Sequence, residues 1–315
     1  MVVCLNVIVP VILIAALGYI LRQRGKITDG FLKSGSMLAF SVGFPCNIVS
    51  SFCDMNFDEI LNTRLLGLIL AVEVLSSVLP MIIVPRFVKD GRIAASMVQS
   101  MFRANVLVQG ITLLTNVYGE GNIAAGTFLL PFMVLCNNFM ATLTFVFLVK
   151  DDSGKKGGAA VLNALKKILQ NPLFISSLLG VLLSAFHITL PTMLKSTLSQ
   201  IGKIASPLAL ICMGAELHFD TIRKGLRYTI PTVLVRLVVI PLCSTLAAIA
   251  MGFRGVELGS VYLFTSCCSA TAGYVLASSM GGDPDIASQS ICLSVLMSAF
   301  TVTAGLFILL QNNLI

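Results

Sequence analysis

The sequence predicts an all-α membrane protein of ten transmembrane helices, arranged as two inverted five-helix repeats with broken crossover helices 4 and 9. Three observations predict it. First, 57% of the 315 residues are hydrophobic and 11% are charged, with mean hydropathy +0.95; a soluble domain carries about 25% charged residues and needs them to cover its surface. Second, one proline–glycine pattern occurs twice, 162 residues apart: Pro10 and Pro172, Gly18 and Gly180, Pro45 and Pro207, Phe57-Asp58 and Phe219-Asp220, Gly119 and Gly281. Third, each copy holds five apolar runs long enough to span a bilayer. Five is odd, so the second copy enters the membrane from the opposite side.

The runs lie near 3–22, 31–53, 65–85, 93–118 and 123–149 in the first copy. In the second they lie near 169–188, 193–217, 228–252, 256–280 and 286–311. The expected organisation is a first repeat over 1–149, a cytoplasmic linker over 150–167 and a second repeat over 168–315. Loop charges orient the set. With the N-terminus outside, the inner loops hold Arg22, Arg24, Lys26, Lys33, Arg86, Lys89, Arg92, Lys150, Lys155, Lys156, Lys166, Lys167, Arg223, Lys224 and Arg227. The outer loops hold only Arg64, Lys195 and Arg254. This excess of cytoplasmic Lys and Arg places both termini outside and the linker inside. The first apolar run has no basic segment before it, so it reads as a span and not as a cleavable leader.

In inverted-repeat carriers the substrate sits near mid-membrane, where helices are interrupted and freed backbone groups face a cavity. The fourth and ninth spans carry the polar and small residues such a site needs. Span 4 holds Arg103, Asn105, Gln109 and Gly110; span 9 holds Ser266, Cys267, Cys268, Ser269, Thr271 and Gly273. Side chains that compete for the backbone, together with glycine, weaken a helix. Two helices broken where they cross would aim partly positive N-termini at one spot and favour an anion. Asn105 would donate to a carboxylate and Arg103 would supply charge. Tight helix packing by Ser, Thr and Gly is the alternative reading of span 9. Gly110 and Gly273, one residue out of register at an offset of 163, are expected to mark the crossing.

Glu73 and Arg236 are repeat partners in the middle of spans 3 and 8. A lone charge in hydrocarbon costs about 2.5–3.5 kcal/mol on insertion scales, so both should face the interior. Two readings stand: a structural pair, or a proton-carrying Glu73 whose behaviour is set by burial and Arg236. Pro45 and Pro207 remove a backbone donor from spans 2 and 7 and are expected to break both helices there, with Asn47 next to the first break. Asp54, Glu216, His187 and His218 lie at span ends and read as interfacial.

Other function classes find little support. There is no HExxH and no GxSxG, and no Cys/His cluster with metal-ligand spacing, so neither enzyme nor metal site nor cofactor is expected. The nine cysteines lie in or beside apolar runs without a CxxC and read as small buried hydrophobes. The linker's SGKKGG lacks Walker A spacing. The +7 net charge is parcelled into loops, which sets topology and does not describe a nucleic-acid surface.

Five segments together carry a family resemblance: IVPVILIAALGYILRQRGKIT, QNPLFISSLLGVLLSAFHITLP, SPLALICMGAEL, FRANVLVQGITLLTNVYG and SMGGDPDIASQSICLSVLMS. They resemble the auxin efflux carrier family, which includes bacterial malate and malonate permeases and the plant PIN-FORMED carriers, and which is related to the bile acid sodium symporters. The resemblance covers essentially the whole chain. It implies a scaffold domain from spans 1, 2, 6 and 7, usually dimerising, and a transport domain from spans 3–5 and 8–10 that moves like an elevator. It implies a plasma-membrane secondary carrier of organic anions, either small mono- or dicarboxylates or auxin-like acids; coupling to a proton, coupling to sodium and uniport stay open. By position, Asn105 is the crossover asparagine that touches the substrate carboxylate. Plant members carry prolines at both crossovers; residues 93–118 and 256–280 here contain none. A sodium-coupled symporter of the bile acid type and a non-transporting membrane sensor on the same fold are the alternatives.

Overall fold

A proline in a helix lacks the N–H that bonds four residues back, and its ring crowds that carbonyl. Two of the fold's local irregularities sit directly before such a proline. The computed structural model describes residues 2–52, 62–119, 126, 128–149, 166, 169–215 and 219–315, with backbone alone at 2–12, 52, 108, 112, 213 and 219–224. Nearly all of the linker, and the expectations placed on Asp54, Phe57, Asp58, Glu216 and His218, lie outside these residues.

The described chain is helical. Its helices are α1 (Val2–Gln23), α2 (Asp29–Leu38), α3 (Phe44–Phe52), α4 (Thr63–Phe87), α5 (Gly91–Phe102), α6 (Ile111–Tyr118) and α7 (Leu130–Leu148). They continue with α8 (Pro172–Ala185), α9 (Thr192–Ala215), α10 (Phe219–Leu234), α11 (Ile240–Ala250), α12 (Gly255–Thr265), α13 (Ala272–Ser279) and α14 (Pro284–Gln311). No strand occurs among the described residues; a single antiparallel bridge joins Ala104 to Ser269. Among the described residues, four helical stretches are long and apolar enough to cross a bilayer by themselves: Thr63–Phe87, Leu130–Leu148, Gly225–Ala250 and Pro284–Gln311. The last is capped by Asp283, whose side chain accepts from Ile286 N, and has Pro284 in its first turn.

Two prolines are preceded by a widened turn. The π-turn Ala39–Gly43 joins α2 to α3 just before Pro45, and Val235–Val239 joins α10 to α11 just before Pro241. At each, the residue before the proline bonds five residues back, Phe44 N to Ala39 O and Ile240 N to Val235 O. The longer register makes room for the ring without ending the helix. Pro207 behaves differently from the sequence expectation. It lies inside the uninterrupted helix α9, so span 7 is not unwound there. One missing donor leaves a single carbonyl to be satisfied, which a helix of 24 residues tolerates.

Two groups of helices stand out by their packing, and they touch each other through α7 on α8 and α14 on α1. α1 packs on α9, and α3 packs on both α8 and α9. Separately, α5 packs on α4, α7 and α14, while α10 packs on α14 and α11 on α12. In the first group backbones touch. A Cβ on Gly18 would lie 2.1 Å from Ile211 O, and one on Gly214 would lie 1.9 Å from Ala15 O. Small residues permit that approach, which is how helices associate where lipid removes the hydrophobic drive.

Candidate functional site

Two chain breaks meet at the centre of the second group. α5 ends at Phe102 and helix resumes at the π-turn Val106–Gly110; α12 ends at Thr265 and α13 begins at Ala272. The extended residues between pair with each other. Asn105 N donates to Cys268 O at 2.9 Å, and Ala270 N donates to Arg103 O at 2.9 Å. The crossing therefore falls at Ala104 and Ser269, not at the glycines. Gly110 and Gly273 sit beyond it, where space is short: a Cβ on Gly110 would meet Phe264 Cδ1 at 2.9 Å, and one on Gly273 would meet Gln99 Oε1 at 2.7 Å.

Breaking a helix leaves its last carbonyls without donors. Here a single side chain answers both ends. Arg236 is 1% exposed. Its Nη1 donates to Phe102 O at 2.7 Å, its Nε donates to Cys267 O at 2.9 Å, and its Nη2 donates to Thr265 O. The positive guanidinium thus sits at the negative ends of α5 and α12 together. Glu73 is within electrostatic reach of Arg236 but makes no direct ion pair with it; among the described residues the ion pair is Arg22 with Asp29. Of the two readings of Glu73 and Arg236, the direct ion pair is not formed; the guanidinium is spent on backbone carbonyls. The Glu73 carboxylate is buried, its Oε2 has no hydrogen-bond partner, and it lies beside Asn137.

Other predicted residues hold the crossing together. Gln109 Oε1 accepts from Cys268 N at 2.6 Å, and its Nε2 donates to Ser298 Oγ at 3.1 Å. Ser269 Oγ donates to Ser100 O at 2.7 Å, and Ser269 N donates to Ser294 Oγ. Ser266 and Cys267 turn back onto their own helix at Leu263 O. These side chains are buried among protein atoms.

A small cleft of about 70 Å³ opens beside the crossing. Arg103, Asn105 and Thr271 line it from the breaks, with Asn47 facing from α3. Val106, Leu107 and Ala272, the first residues of the resuming helices, line it too. Gln109, Gly110, Ser266, Cys267, Cys268, Ser269 and Gly273 do not. Arg103 is 5% exposed; its Nη2 donates to Asn138 Oδ1 at 2.6 Å, while its Nη1 has no partner. Asn137 lines the cleft and lies beside Glu73. Asn137 and Asn138 were not among the sequence candidates. Their signal was present in CNN, two adjacent amides in the middle of an apolar span.

Among the described residues no group of three or more His, Cys, Asp or Glu side chains is placed to hold a metal ion. The family described as membrane transport protein matches residues 3–305 of the chain. An uncharacterized transporter of Methanothermobacter thermautotrophicus is 24% identical over 302 residues, covering 92% of this chain and 93% of that protein.

Proposed function

The chain belongs to the membrane transport protein family, the auxin efflux carrier group that the sequence resembles, and from that premise we propose that it is a secondary carrier of organic carboxylates. The observation that carries the proposal is the unpartnered Nη1 of buried Arg103 in the cleft. A buried cation with a free donor has a strong reason to take an anion. Asn105, Asn47 and Asn137 add amide donors around it, and the resuming helices at Val106 and Ala272 bring partly positive ends to the same place.

Ten spans in two inverted repeats form the framework of this reading, with both termini outside the plasma membrane. The packing supports a division of labour: spans 1, 2, 6 and 7 as scaffold, and spans 3–5 and 8–10 as the unit that moves. Backbone contact between α1 and α9 suits a rigid scaffold, and a homodimer would form through that part. Glu73 is the proposed coupling group, a proton carrier connected to the cleft through Asn137.

The test is uptake into proteoliposomes of labelled acetate, malonate, malate and indole-3-acetate. Wild-type protein is expected to transport at least one. Arg103→Gln and Asn105→Ala are expected to lower kcat/KM about 10- to 100-fold each, the factor carried by one hydrogen bond to a charged group. Uptake by both variants at the wild-type rate would overturn the site.

A further inference from the structure

The geometry points to Asn138 and Ser177 as a substrate-released latch between the moving unit and the scaffold; the inference rests on the carrier reading above. Arg103 uses Nη2 on Asn138 Oδ1 at 2.6 Å. With its oxygen occupied, Asn138 must present its nitrogen elsewhere. Its Nδ2 donates to Ser177 Oγ at 2.6 Å and to Leu173 O at 3.2 Å, both on α8. Ser177 Oγ donates in turn to Leu173 O at 2.6 Å. The chain of bonds runs from the cleft through α7 to α8 without a gap, and each side chain in it is at least 95% buried. Arg103 and Asn138 belong to spans 4 and 5, while Leu173 and Ser177 belong to span 6. This link must therefore break whenever one group of helices slides past the other.

An arriving carboxylate competes for the same guanidinium. Two-point binding of a carboxylate by arginine uses two parallel N–H donors. Nη1 is free, and recruiting Nη2 as the second donor withdraws it from Asn138. Asn138 Oδ1 then loses the bond that fixes the orientation of its amide, and Nδ2 is no longer held toward Ser177. Occupancy of the site and release of the scaffold become one event. The empty carrier stays latched, because nothing else claims Nη2.

The consequence is read in two fluxes. Exchange of labelled for unlabelled substrate needs only loaded carriers to cross, whereas net efflux also needs empty carriers to return. The experiment uses full-length protein in proteoliposomes, with whichever of acetate, malonate, malate and indole-3-acetate the wild type exchanges. Ser177 lies outside the cleft, so Ser177→Ala weakens the latch and leaves the anion site intact. Net efflux is expected to rise about two- to tenfold toward the exchange rate, the factor one net hydrogen bond carries. Exchange itself should stay unchanged. Ser177→Thr keeps the hydroxyl and is expected to retain the wild-type ratio. An unaltered ratio in Ser177→Ala, or an equal rise in Ser177→Thr, would overturn the latch while leaving the carrier reading in place. If the wild type exchanges none of the four probes, the carrier reading and the latch fall together.

Discussion

Arg236 shows how far a single side chain can act when its partners are backbone atoms. Its three donor nitrogens reach Phe102, Cys267 and Thr265 carbonyls, and Nη1 also reaches Met101 O at 3.4 Å. Each is a bond from a charged donor in a dry site, where hydrogen bonds to charged groups contribute about 1.5–3 kcal/mol and an orphaned acceptor costs about as much. Arg236→Met should therefore destabilise the protein by at least about 3 kcal/mol, the scale for breaking a buried charged contact. Arg236→Lys should recover only part of this, because an ammonium keeps the charge but not the fork that spans two helix ends. Thermal unfolding in detergent checks both; equal melting temperatures for wild type and Arg236→Met would contradict the account. Glu73 poses a different question. Its carboxyl group lies near Arg236, Asn137 and Cys136, its Oε2 has no hydrogen-bond partner, and the carrier reading makes it the proposed coupling group. In Glu73→Gln the proton cannot leave, so uptake should lose its acceleration by a pH gradient while substrate-binding affinity at fixed pH is kept. Gradient-driven uptake that persists in Glu73→Gln would remove Glu73 as the coupling group.

At the scale of elements, the glycines sort by what surrounds them. Gly18 and Gly214 bring α1 and α9 into backbone contact, and a carbonyl cannot step aside as a side-chain tip can. Gly18→Ala and Gly214→Ala should each push the two helices apart and cost about 1–3 kcal/mol, the usual range for overpacking. Gly67 lies inside α4, and a Cβ there would meet nothing within 4 Å; at this position alanine should be neutral or stabilising by up to about 1 kcal/mol through helix propensity. Melting temperatures that fell equally at all three positions would refute this ordering. The same scale shows what was legible in the sequence. Apolar runs gave the helices, since α4, α7 and α14 start and stop within a few residues of those runs except at the start of α7. Polar residues in span 4 announced a break, and Arg103 and Asn105 do lie in it. The π-turns before Pro45 and Pro241 were not legible, because a proline states only that one bond is missing and not how the preceding turn adjusts. The role of Arg236 was hidden for a related reason: a carbonyl has no letter in the sequence, whereas Glu73 does. Glu73 therefore looked like its partner.

For the whole molecule, the open spaces and the loop charges bear on the same question of sidedness. A cleft of about 710 Å³ is lined by Asp29, Lys33 and Arg92 and by Ser278 and Ser279, between α2 and the end of α13. A second, of about 450 Å³, adjoins it and shares Phe40, Ser279 and Gly281. Both lie at the end of the molecule that carries the basic loops, which the charge bias assigns to the cytoplasm. On that assignment both clefts face the inside. Arg92 strengthens this end by donating to Gly281 O at 3.2 Å and Gly282 O at 3.3 Å, so the chain leaving α13 is tied to the start of α5. The opposite end carries Met193, 83% exposed at the start of α9. Met193 and Ser279 both belong to the second copy, and spans 7, 8 and 9 lie between them. An odd number of crossings puts them on opposite sides; an even number would put them on the same side. A membrane-impermeant maleimide should therefore label Met193→Cys only in right-side-out vesicles and Ser279→Cys only in inside-out vesicles, with the parent protein measured alongside to subtract its native cysteines. Labelling of both variants from one face would break the count of spans, and with it the inverted arrangement on which the sliding of one helix group past the other depends.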